Sequence, residues 1–559
     1  MIYMKIIHAI AGSPGIAGAK LLIYKKTEKN SHKIGIDEAM KKALDKVEAL
    51  EAKALAGFGE DNAKIFSAYK MILEDTTLTE PIRQAVNAGA EPEEAVLETT
   101  GALAAVLASK NNEYMRQRAD DITYIGQLLV DMINGNDGEF SFPPGNDKYI
   151  LAAHELTPVD TMLFDSSRLA GLITEVGGAT SHTVILAKSI GIPAVVGADG
   201  VTECRGEDLA YIDGYTGDFV YSPDADTAAE YERRLSDEIE LGRALEAVKD
   251  IDAKTADGER ISVCVNIGNP SDLESADCKI DGVGLFRSEF LYSSSVEKPA
   301  FDEQCAAYRR AMEEAAPNPV TVRTLDIGGD KQLEYLKMKP EENPFLGNRG
   351  IRLCLNNPEI FSEQLEALLV AAAGKKIKIM LPMITCIGEI KETRTMLDEI
   401  AARLEAEGRE YCKNYQLGIM IETPASAIMA DTFAKHCDFF SIGTNDLVQY
   451  IMAADRGNSD VEGIYNPYHP AVLRMINRVI KAGAAESIEV SVCGDLAANT
   501  SFTKLLLGMG LKKFSVPVPM AARIKHKILS VDLSDAQTLA EKVLNCEDEN
   551  EVENLLKED

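Results

Sequence analysis

The feature of this sequence that most constrains its fold is the regular alternation of short apolar runs with helical stretches after about residue 255. The strand-like runs are 261–265, 282–286, 320–324, 377–381, 417–421, 439–442 and 488–493, and we expect an eighth near 349–353. Alternation of this kind over roughly 300 residues predicts a (β/α)8 barrel. A doubly wound open sheet is the alternative, but no glycine-rich nucleotide-binding fingerprint follows any of the runs.

The first 250 residues have three different textures. Residues 32–134 carry Ala, Glu, Lys and Leu at helical spacing, which predicts several antiparallel helices. Residues 148–222 alternate short strands and helices and predict a small α/β domain that takes in the opening strand, and 224–250 predict one long helix. The fold class is therefore multidomain α/β. The expected domains are 1–20 with 145–223, a helical insertion at 21–144, a linker helix at 224–252 and the barrel at 253–559.

Composition excludes several classes of function. The formal net charge of −31 on 559 residues repels nucleic acid and anionic membranes; it favours a basic protein partner or serves solubility alone. No apolar run is long enough to cross a bilayer and no signal peptide opens the sequence, so we expect a cytoplasmic protein. The 10 cysteines are scattered without a CxxC pair, which favours neither a zinc site nor a disulfide framework.

His182 stands in an unusual local setting. Two glycines and the helix-capping types Thr180 and Ser181 precede it, and an apolar run typical of a helix follows. This spacing puts His182 in a first helical turn, where unpaired N–H groups and the helix dipole favour an anion. An imidazole there is suited to accept a phosphoryl group. The alternative is a histidine that only helps to cap the helix.

Charged residues follow the predicted barrel strands, at the end where barrel active sites lie. Four arginines are suited to bind a small ligand that carries both phosphate and carboxylate: Arg287, Arg323, Arg349 and Arg456. Glu422 and Asp446 are oxygen ligands of the kind that Mg²⁺ prefers, and Lys331 adds a positive charge on a Gly-Gly loop. Any one of these residues alone fits a solvated loop better. The whole set does not, because its positions follow the strands.

Cys493 stands where the eighth strand is expected to end. A free thiol has an ordinary pKa of about 8.5 and is mostly protonated at neutral pH. Cys493 is therefore able to donate a proton to a carbanion or an enolate. The alternative is a buried structural cysteine.

These segments together resemble one family. They are GGATSHT (177–183), GLFRSEFL (284–291), RTLDIGGDK (323–331), EENPFLG (341–347), FFSIGTNDL (439–447) and DRGN (455–458). The chain is similar over nearly its whole length to Enzyme I of the bacterial sugar phosphotransferase system, the phosphoenolpyruvate–protein phosphotransferases. Pyruvate phosphate dikinase shares the phosphohistidine and barrel parts, but it also has a large ATP-binding domain, for which this chain has no room.

The resemblance implies a mechanism and a set of partners. Phosphoenolpyruvate binds the four arginines at the barrel mouth, with Asn445 as a further contact and Mg²⁺ on the carboxylate pair. His182 takes the phosphoryl group through Nε2, Cys493 protonates the enolate to give pyruvate, and the phosphoryl group passes to a histidine of HPr, a small carrier protein. The family docks HPr on the helical insertion, which 65–75 resembles in part, and it is dimeric through the barrel, so we expect a homodimer. Because the histidine and the arginines lie on different domains, we expect the histidine domain to swing.

Four positions depart from the family's usual residues without removing a predicted role: Ala179 replaces arginine, Asn348 tryptophan, Thr423 an aliphatic residue and Asp495 glutamate. Two other functions are weighed against the enzyme. A regulatory protein that kept only the fold is disfavoured by the intact histidine, cysteine, carboxylates and arginines. An enzyme of a nitrogen-related phosphotransfer branch typically carries a further N-terminal sensory domain, which this sequence does not show.

Overall fold

The structure, a computed structural model, describes residues 4–24, 33–58, 60–108, 113–135, 140, 142–156, 164–178, 181–206, 208–293, 298–329, 333–336 and 338–558. The chain divides into two compact units, Met1–Leu241 and Gly242–Asp559. Of the helices that the structure describes, none combines the length and the apolar composition needed to cross a membrane.

The first unit is built on a mixed sheet of eight strands. The strands are β1 (Lys5–His8), β2 (Ile10–Ser13), β3 (Ile16–Ile23), β4 (Tyr149–Ala153), β5 (Leu169–Thr174), β6 (Ala194–Val196), β7 (Leu209–Asp213) and β8 (Asp218–Tyr221). Their order in the sheet is β1-β8-β7-β3-β4-β5-β6-β2. β3 pairs in parallel with β4, with Lys20 opposite Tyr149. The opening strands therefore belong to the small α/β domain, and the helices between β3 and β4 are an insertion into its sheet.

The inserted helices form a separate core. They are α1 (Ile36–Phe58), α2 (Glu60–Glu74), α3 (Thr76–Asn87), α4 (Pro92–Ala108) and α5 (Glu113–Ile133). Val47, Phe66, Ile82 and Ile125 are fully buried in this core. α3 begins after Asp75, whose side chain accepts a hydrogen bond of 2.8 Å from the Thr77 amide.

Two further helices lie after the inserted helices in the sequence. α6 (His182–Ile190) follows β5, and α7 (Ala225–Val248) is the long helix predicted at 224–250. The beginning of α7 is bonded to the first unit's sheet: Glu232 accepts a hydrogen bond from the Tyr211 hydroxyl at 2.7 Å, and Arg234 pairs with the buried Asp213.

The second unit is a closed barrel of parallel strands, which confirms the predicted (β/α)8 barrel and excludes the doubly wound sheet. Its strands are β9 (Ser262–Ile267), β10 (Val283–Arg287), β11 (Val320–Arg323), β12 (Ile377–Leu381), β13 (Gln416–Ile421), β14 (Phe439–Gly443), β15 (Glu489–Cys493) and β16 (Lys513–Pro517). The helices of this unit are α8 (Glu289–Ser293), α9 (Phe301–Glu314), α10 (Ile351–Asn356), α11 (Pro358–Ala371), α12 (Ile387–Ala406), α13 (Pro424–Ile428), α14 (Ala430–Phe433), α15 (Thr444–Met452), α16 (Pro470–Ala485), α17 (Asp495–Ala498), α18 (Thr503–Gly508), α19 (Ala521–Leu529), α20 (Leu533–Asn545) and α21 (Glu549–Lys557).

The expectation of a strand near 349–353 was wrong. Gly350 has a φ of 57°, and α10 begins directly after it. The eighth strand is β16, so Cys493 ends the seventh strand. The sequence hides β16 because its apolar residues alternate with Lys513 and Ser515, which are buried in the barrel. Each of these polar groups has a partner there: Lys513 pairs with Glu489, and the Ser515 hydroxyl donates to Asn266 Oδ1.

Candidate active site

A cavity of about 140 Å³ opens at the carboxyl ends of the barrel strands. It brings together every predicted barrel residue that the structure describes: Arg287, Arg323, Arg349, Glu422, Asn445, Asp446, Arg456 and Cys493. Glu289, Asp326, Met420 and Gly443 also line it. Lys331 lies outside the described residues.

Two glycines allow the polar side chains to approach the backbone closely. A Cβ on Gly443, at the end of β14, would lie 2.9 Å from Glu422 Oε2. A Cβ on Gly494, which has a φ of 91°, would lie 2.6 Å from Asn445 Oδ1. Larger residues at these two positions would therefore displace the groups that line the cavity.

Two of the four arginines are buried and already paired with carboxylates. Arg323 pairs with Glu289 and, at 3.0 Å, with Asp326. Arg349 lies 3.2 Å from both Asp326 and Asp446. Burial opposes the charge of each guanidinium, but the facing carboxylates outweigh it and raise the pKa of Arg323 and of Arg349 above the usual arginine value. These two arginines are fixed in position and permanently charged.

The other two arginines differ. Within the described part of the chain, no carboxylate lies within ion-pair distance of Arg287, which is half-buried, or of Arg456, which is exposed. Both guanidinium groups line the same cavity as the paired arginines. They are therefore the two that are available to an anionic ligand.

The surroundings of Glu422 in the cavity oppose ionisation of its carboxyl group. Its side chain is fully buried, and its Oε1 accepts a hydrogen bond of 2.6 Å from the Met383 amide. Its Oε2 has no hydrogen-bond partner within the described part of the chain. Burial, and next the carboxylates of Asp446 and Asp326, raise the pKa of Glu422 to about 8. A buried oxygen without a partner, beside a second carboxylate, fits a site for a divalent cation.

In the described part of the chain, the carboxylate pair is not part of a larger cluster of metal-ligand side chains. Among the described residues, no group of three or more His, Cys, Asp or Glu side chains is arranged to hold a metal ion. Mg²⁺ commonly binds one or two carboxylates and completes its shell with water and substrate phosphate oxygens. Glu422 and Asp446 fit this arrangement, with the rest of the shell left to substrate and solvent.

The thiol of Cys493 and the amide of Asn445 are both held in place. Cys493 is buried, and burial raises the pKa of its thiol, so the group is protonated at neutral pH. Asn445 donates through Nδ2 to Asp495 at 3.0 Å, and its Oδ1 accepts from the Asp495 amide at 2.9 Å. Asp495, although shorter than the family's usual glutamate, thus fixes the Asn445 side chain.

His182 is the first residue of α6, as the sequence predicts. Ser181 occupies the N-cap position with an extended backbone, but its hydroxyl makes no capping hydrogen bond. Ser181 Oγ is also buried, and it has no hydrogen-bond partner among the residues that the structure describes. The side chain of His182 and the residues Ala179 and Thr180 lie outside the described part of the structure.

Sequence reasoning missed two residues that touch the site. The Tyr450 hydroxyl accepts a hydrogen bond of 3.2 Å from Arg349 and lies one helical turn after Asp446 on α15, a spacing that predicts a shared face. Ser441 lies on β14, two residues after Phe439 and two before Gly443, and both of these face the barrel interior. Because side chains alternate along a strand, Ser441 faces the interior as well. Each signal was present as a simple periodicity.

Family models for enzymes that use phosphoenolpyruvate match this chain. The model for the PEP-utilising enzyme, PEP-binding domain, matches residues 243–533, that for the mobile domain matches 145–217, and that for the N-terminal domain matches 8–118.

Relatives that match the full length of the chain identify its family among these enzymes. The chain is 37% identical to a protein of Staphylococcus carnosus and 39% identical to one of Listeria innocua, each over 99% of both chains. It is 38% identical to a Bacillus subtilis protein over 99% of this chain and 100% of the relative. All three are named phosphoenolpyruvate-protein phosphotransferase. The chain therefore belongs to the phosphoenolpyruvate-protein phosphotransferase family of transferases, which confirms the resemblance inferred from its sequence.

Proposed function

We propose that this protein transfers the phosphoryl group of phosphoenolpyruvate to its own His182 and then to a histidine of HPr, releasing pyruvate. This is the first step of sugar phosphotransferase transport, and we assign it to the cytoplasm. The observation that carries the proposal is the cavity at the barrel mouth, where two arginines have no carboxylate partner among the described residues and lie beside a buried carboxylate pair. An anion with separate phosphate and carboxylate groups matches that charge pattern.

Substrate binding rests on the division among the arginines. Arg287 and Arg456 bind substrate oxygens directly, because their guanidinium groups carry no ion pair in the described structure. Arg323 and Arg349 place two oriented guanidinium groups in the lining of the cavity, since their carboxylate partners hold them in position. Asn445 is an oriented amide for a further substrate contact, and Lys331 adds a positive charge from its loop.

A divalent cation, for which Mg²⁺ is our choice, would be held by Glu422 and Asp446. When bound, it would neutralise charge on the phosphoryl and enolate oxygens. Without a cation, the cavity would present two carboxylates to an anionic substrate. The buried, partnerless Oε2 of Glu422 supports this assignment.

The chemistry then follows from the chain's own groups. His182 Nε2 attacks phosphorus, the bond between phosphorus and the enol oxygen breaks, and the arginines stabilise the negative charge that develops on that oxygen. Cys493 gives its proton to C3 of the enolate, which becomes pyruvate. His182 belongs to the first unit and the cavity to the second, so the histidine domain must move between the cavity and the carrier during each turnover.

The carrier binds, in this proposal, to the inserted helices. On α2, Ser67, Met71 and Glu74 are exposed at spacings of four and three residues and share one face. Met71 is 64% exposed, and an apolar side chain beside a carboxylate suits a basic partner with an apolar contact. We also propose the domain boundaries expected from the sequence, and a homodimer formed through the barrel.

The test is phosphorylation from labelled phosphoenolpyruvate with Mg²⁺ and the full-length chain. Wild type is expected to gain one acid-labile, base-stable phosphoryl group and to pass it to HPr, and His182→Ala to gain none. His154→Ala is a matched control, because His154 is an exposed histidine of the same unit that is bonded to Glu175. An unlabelled wild-type protein would leave only the regulatory alternative. Label that persists in His182→Ala would assign the reaction to another acceptor.

A further inference from the structure

The thiol of Cys493 lies in an apolar box inside the barrel. The side chains that pack around it are Leu285, Met380, Met420 and Phe439. Cys493 is 2% exposed, so these apolar side chains shield its sulfur from solvent. A thiolate formed in this box needs a hydrogen-bond donor, because burial without one is costly for an anion.

Two polar groups contact the sulfur. The thiol donates to the Ile442 carbonyl oxygen, at a sulfur–oxygen distance of 3.4 Å. The hydroxyl of Ser441 donates to the sulfur, at an oxygen–sulfur distance of 3.5 Å. Once the thiol has lost its proton, the carbonyl can no longer interact favourably with the sulfur, whereas the hydroxyl still can.

We propose that Ser441 is a positioning residue for the protonation of the enolate: its hydroxyl orients the sulfur of Cys493 and stabilises the thiolate that remains. The inference rests on the proposed function, in which Cys493 is the proton donor. The S–H bond breaks and its electron pair stays on sulfur, while the enolate electrons form the new C3–H bond and the C=O of pyruvate. Water that enters the open cavity returns a proton to the sulfur before the next turnover.

Ser491 shows what a purely structural serine looks like in this barrel. It lies opposite Ser441 in the pairing of β14 and β15, and both serines are buried. The Ser491 hydroxyl donates to the Phe440 carbonyl at 3.3 Å and so caps a backbone acceptor. The Ser441 hydroxyl is instead directed at the reactive sulfur, which is why its removal has a chemical consequence.

The electrostatic surroundings of the thiol are otherwise set by three charged groups. Glu422 disfavours a thiolate, whereas Arg323 and Arg287 favour it. Neither serine substitution alters these groups, so a comparison between the two variants isolates the hydroxyl.

The experiment measures exchange of the methyl protons of pyruvate with D2O by NMR, with unphosphorylated full-length enzyme and Mg²⁺. This exchange uses Cys493 and not the histidine. We expect Ser441→Ala to slow it by about 10- to 100-fold, the effect of losing a hydrogen bond to an anion, and Ser491→Ala to change it by less than about 2-fold. In Ser441→Ala, the pH dependence of Cys493 alkylation, followed by peptide mass spectrometry, should move to higher pH.

Three results would overturn the inference: unchanged exchange in Ser441→Ala, equal losses in both serine variants, or an unmoved alkylation profile. Should Ser441→Ala fail to fold, Ser441→Cys keeps the volume with a weaker donor and must also slow the exchange. A wild-type enzyme that takes no label from phosphoenolpyruvate would refute the proposed function. A labelled wild type whose exchange does not depend on Ser441 would refute this inference alone.

Discussion

The two ends of the barrel both bury charge, but they treat it differently. At the amino ends of the strands, Lys378 and Lys513 lie 2.8 and 2.9 Å from the same oxygen of Glu489. At the carboxyl ends, and among the described residues only, one oxygen of Glu422 has no hydrogen-bond partner and Arg287 has no ion pair. The charges at the amino ends form a closed network of ion pairs. The carboxyl ends keep unsatisfied polar groups that a ligand could bind.

The pKa shifts of the two glutamates express this difference. Burial opposes ionisation of Glu489, but Lys513 and Lys378 outweigh it and hold its pKa below the usual value. Burial and nearby carboxylates raise the pKa of Glu422 to about 8. Glu489 is ionised and paired with two buried lysines, whereas Glu422 is buried at a cost to stability, a perturbation that is typical of functional sites.

The largest effect is expected from Glu422→Gln. This change removes a proposed cation ligand, so turnover should fall by roughly a thousandfold or more, and Mg²⁺ should bind more weakly. Stability should stay unchanged, because Glu422, with a pKa of about 8, is mostly protonated at pH 7 without a metal, and glutamine keeps that neutral form. Steady-state assays and thermal unfolding, with Glu489→Gln as the matched glutamate variant, would check both. A fully active Glu422→Gln enzyme would end the distinction between the two ends.

The next largest effect separates the paired from the unpaired arginines. Arg456→Ala should lower kcat/KM by about a hundredfold with little change in stability, since it leaves no buried carboxylate behind. Arg349→Ala should also lower activity, but it should cost about 3–5 kcal/mol of stability, because Asp446 loses a buried cation and Asp326 is left with Arg323. Urea unfolding and kinetics on the same samples provide the comparison. Equal destabilisation by the two variants would contradict it.

The sequence predicted much of this arrangement, for physical reasons. Apolar runs predicted seven barrel strands. The rule that strand ends face the active site predicted that the arginines and carboxylates lie in one cavity. The roles of these residues stay predictions. Which arginines are paired could not be predicted, because Arg349 and Asp446 are distant in sequence and meet only in the closed barrel. β16 was not predicted for a related reason. A lysine such as Lys513 can be buried in the core only because Glu489 pairs with it, and this pairing cannot be read from the sequence.

A smaller effect is expected at the closed end. Glu489→Gln should leave kcat unchanged and cost about 1–2 kcal/mol, because the Glu489 side chain is 41% exposed and solvent screens its pairs. Its folded-state pKa is lowered, so its stabilising contribution is complete above the unfolded glutamate pKa of about 4.3 and is lost as the pH falls below that value. Urea unfolding at pH 7 and at pH 3.5 should therefore show a wild-type advantage at pH 7 that shrinks at pH 3.5. An advantage that grows at low pH would contradict the assignment.

The smallest effect is expected from Lys378→Met. Burial, and next the charge of Lys513, lower the pKa of Lys378, so its ammonium group is an expensive member of the network. Lys513 still neutralises Glu489 after the change, and a methionine of similar length keeps the contact with Phe439, whose ring centroid lies 5.0 Å from Lys378 Nζ. We expect a change of less than about 1 kcal/mol in unfolding free energy and none in turnover. Lys513→Met is the control and should cost more, because burial opposes the charge of Lys513 but Glu489 outweighs it and raises the pKa. If Lys378→Met destabilised the barrel as much as Lys513→Met, the closed end would need both cations, and its excess of positive charge would be a structural requirement.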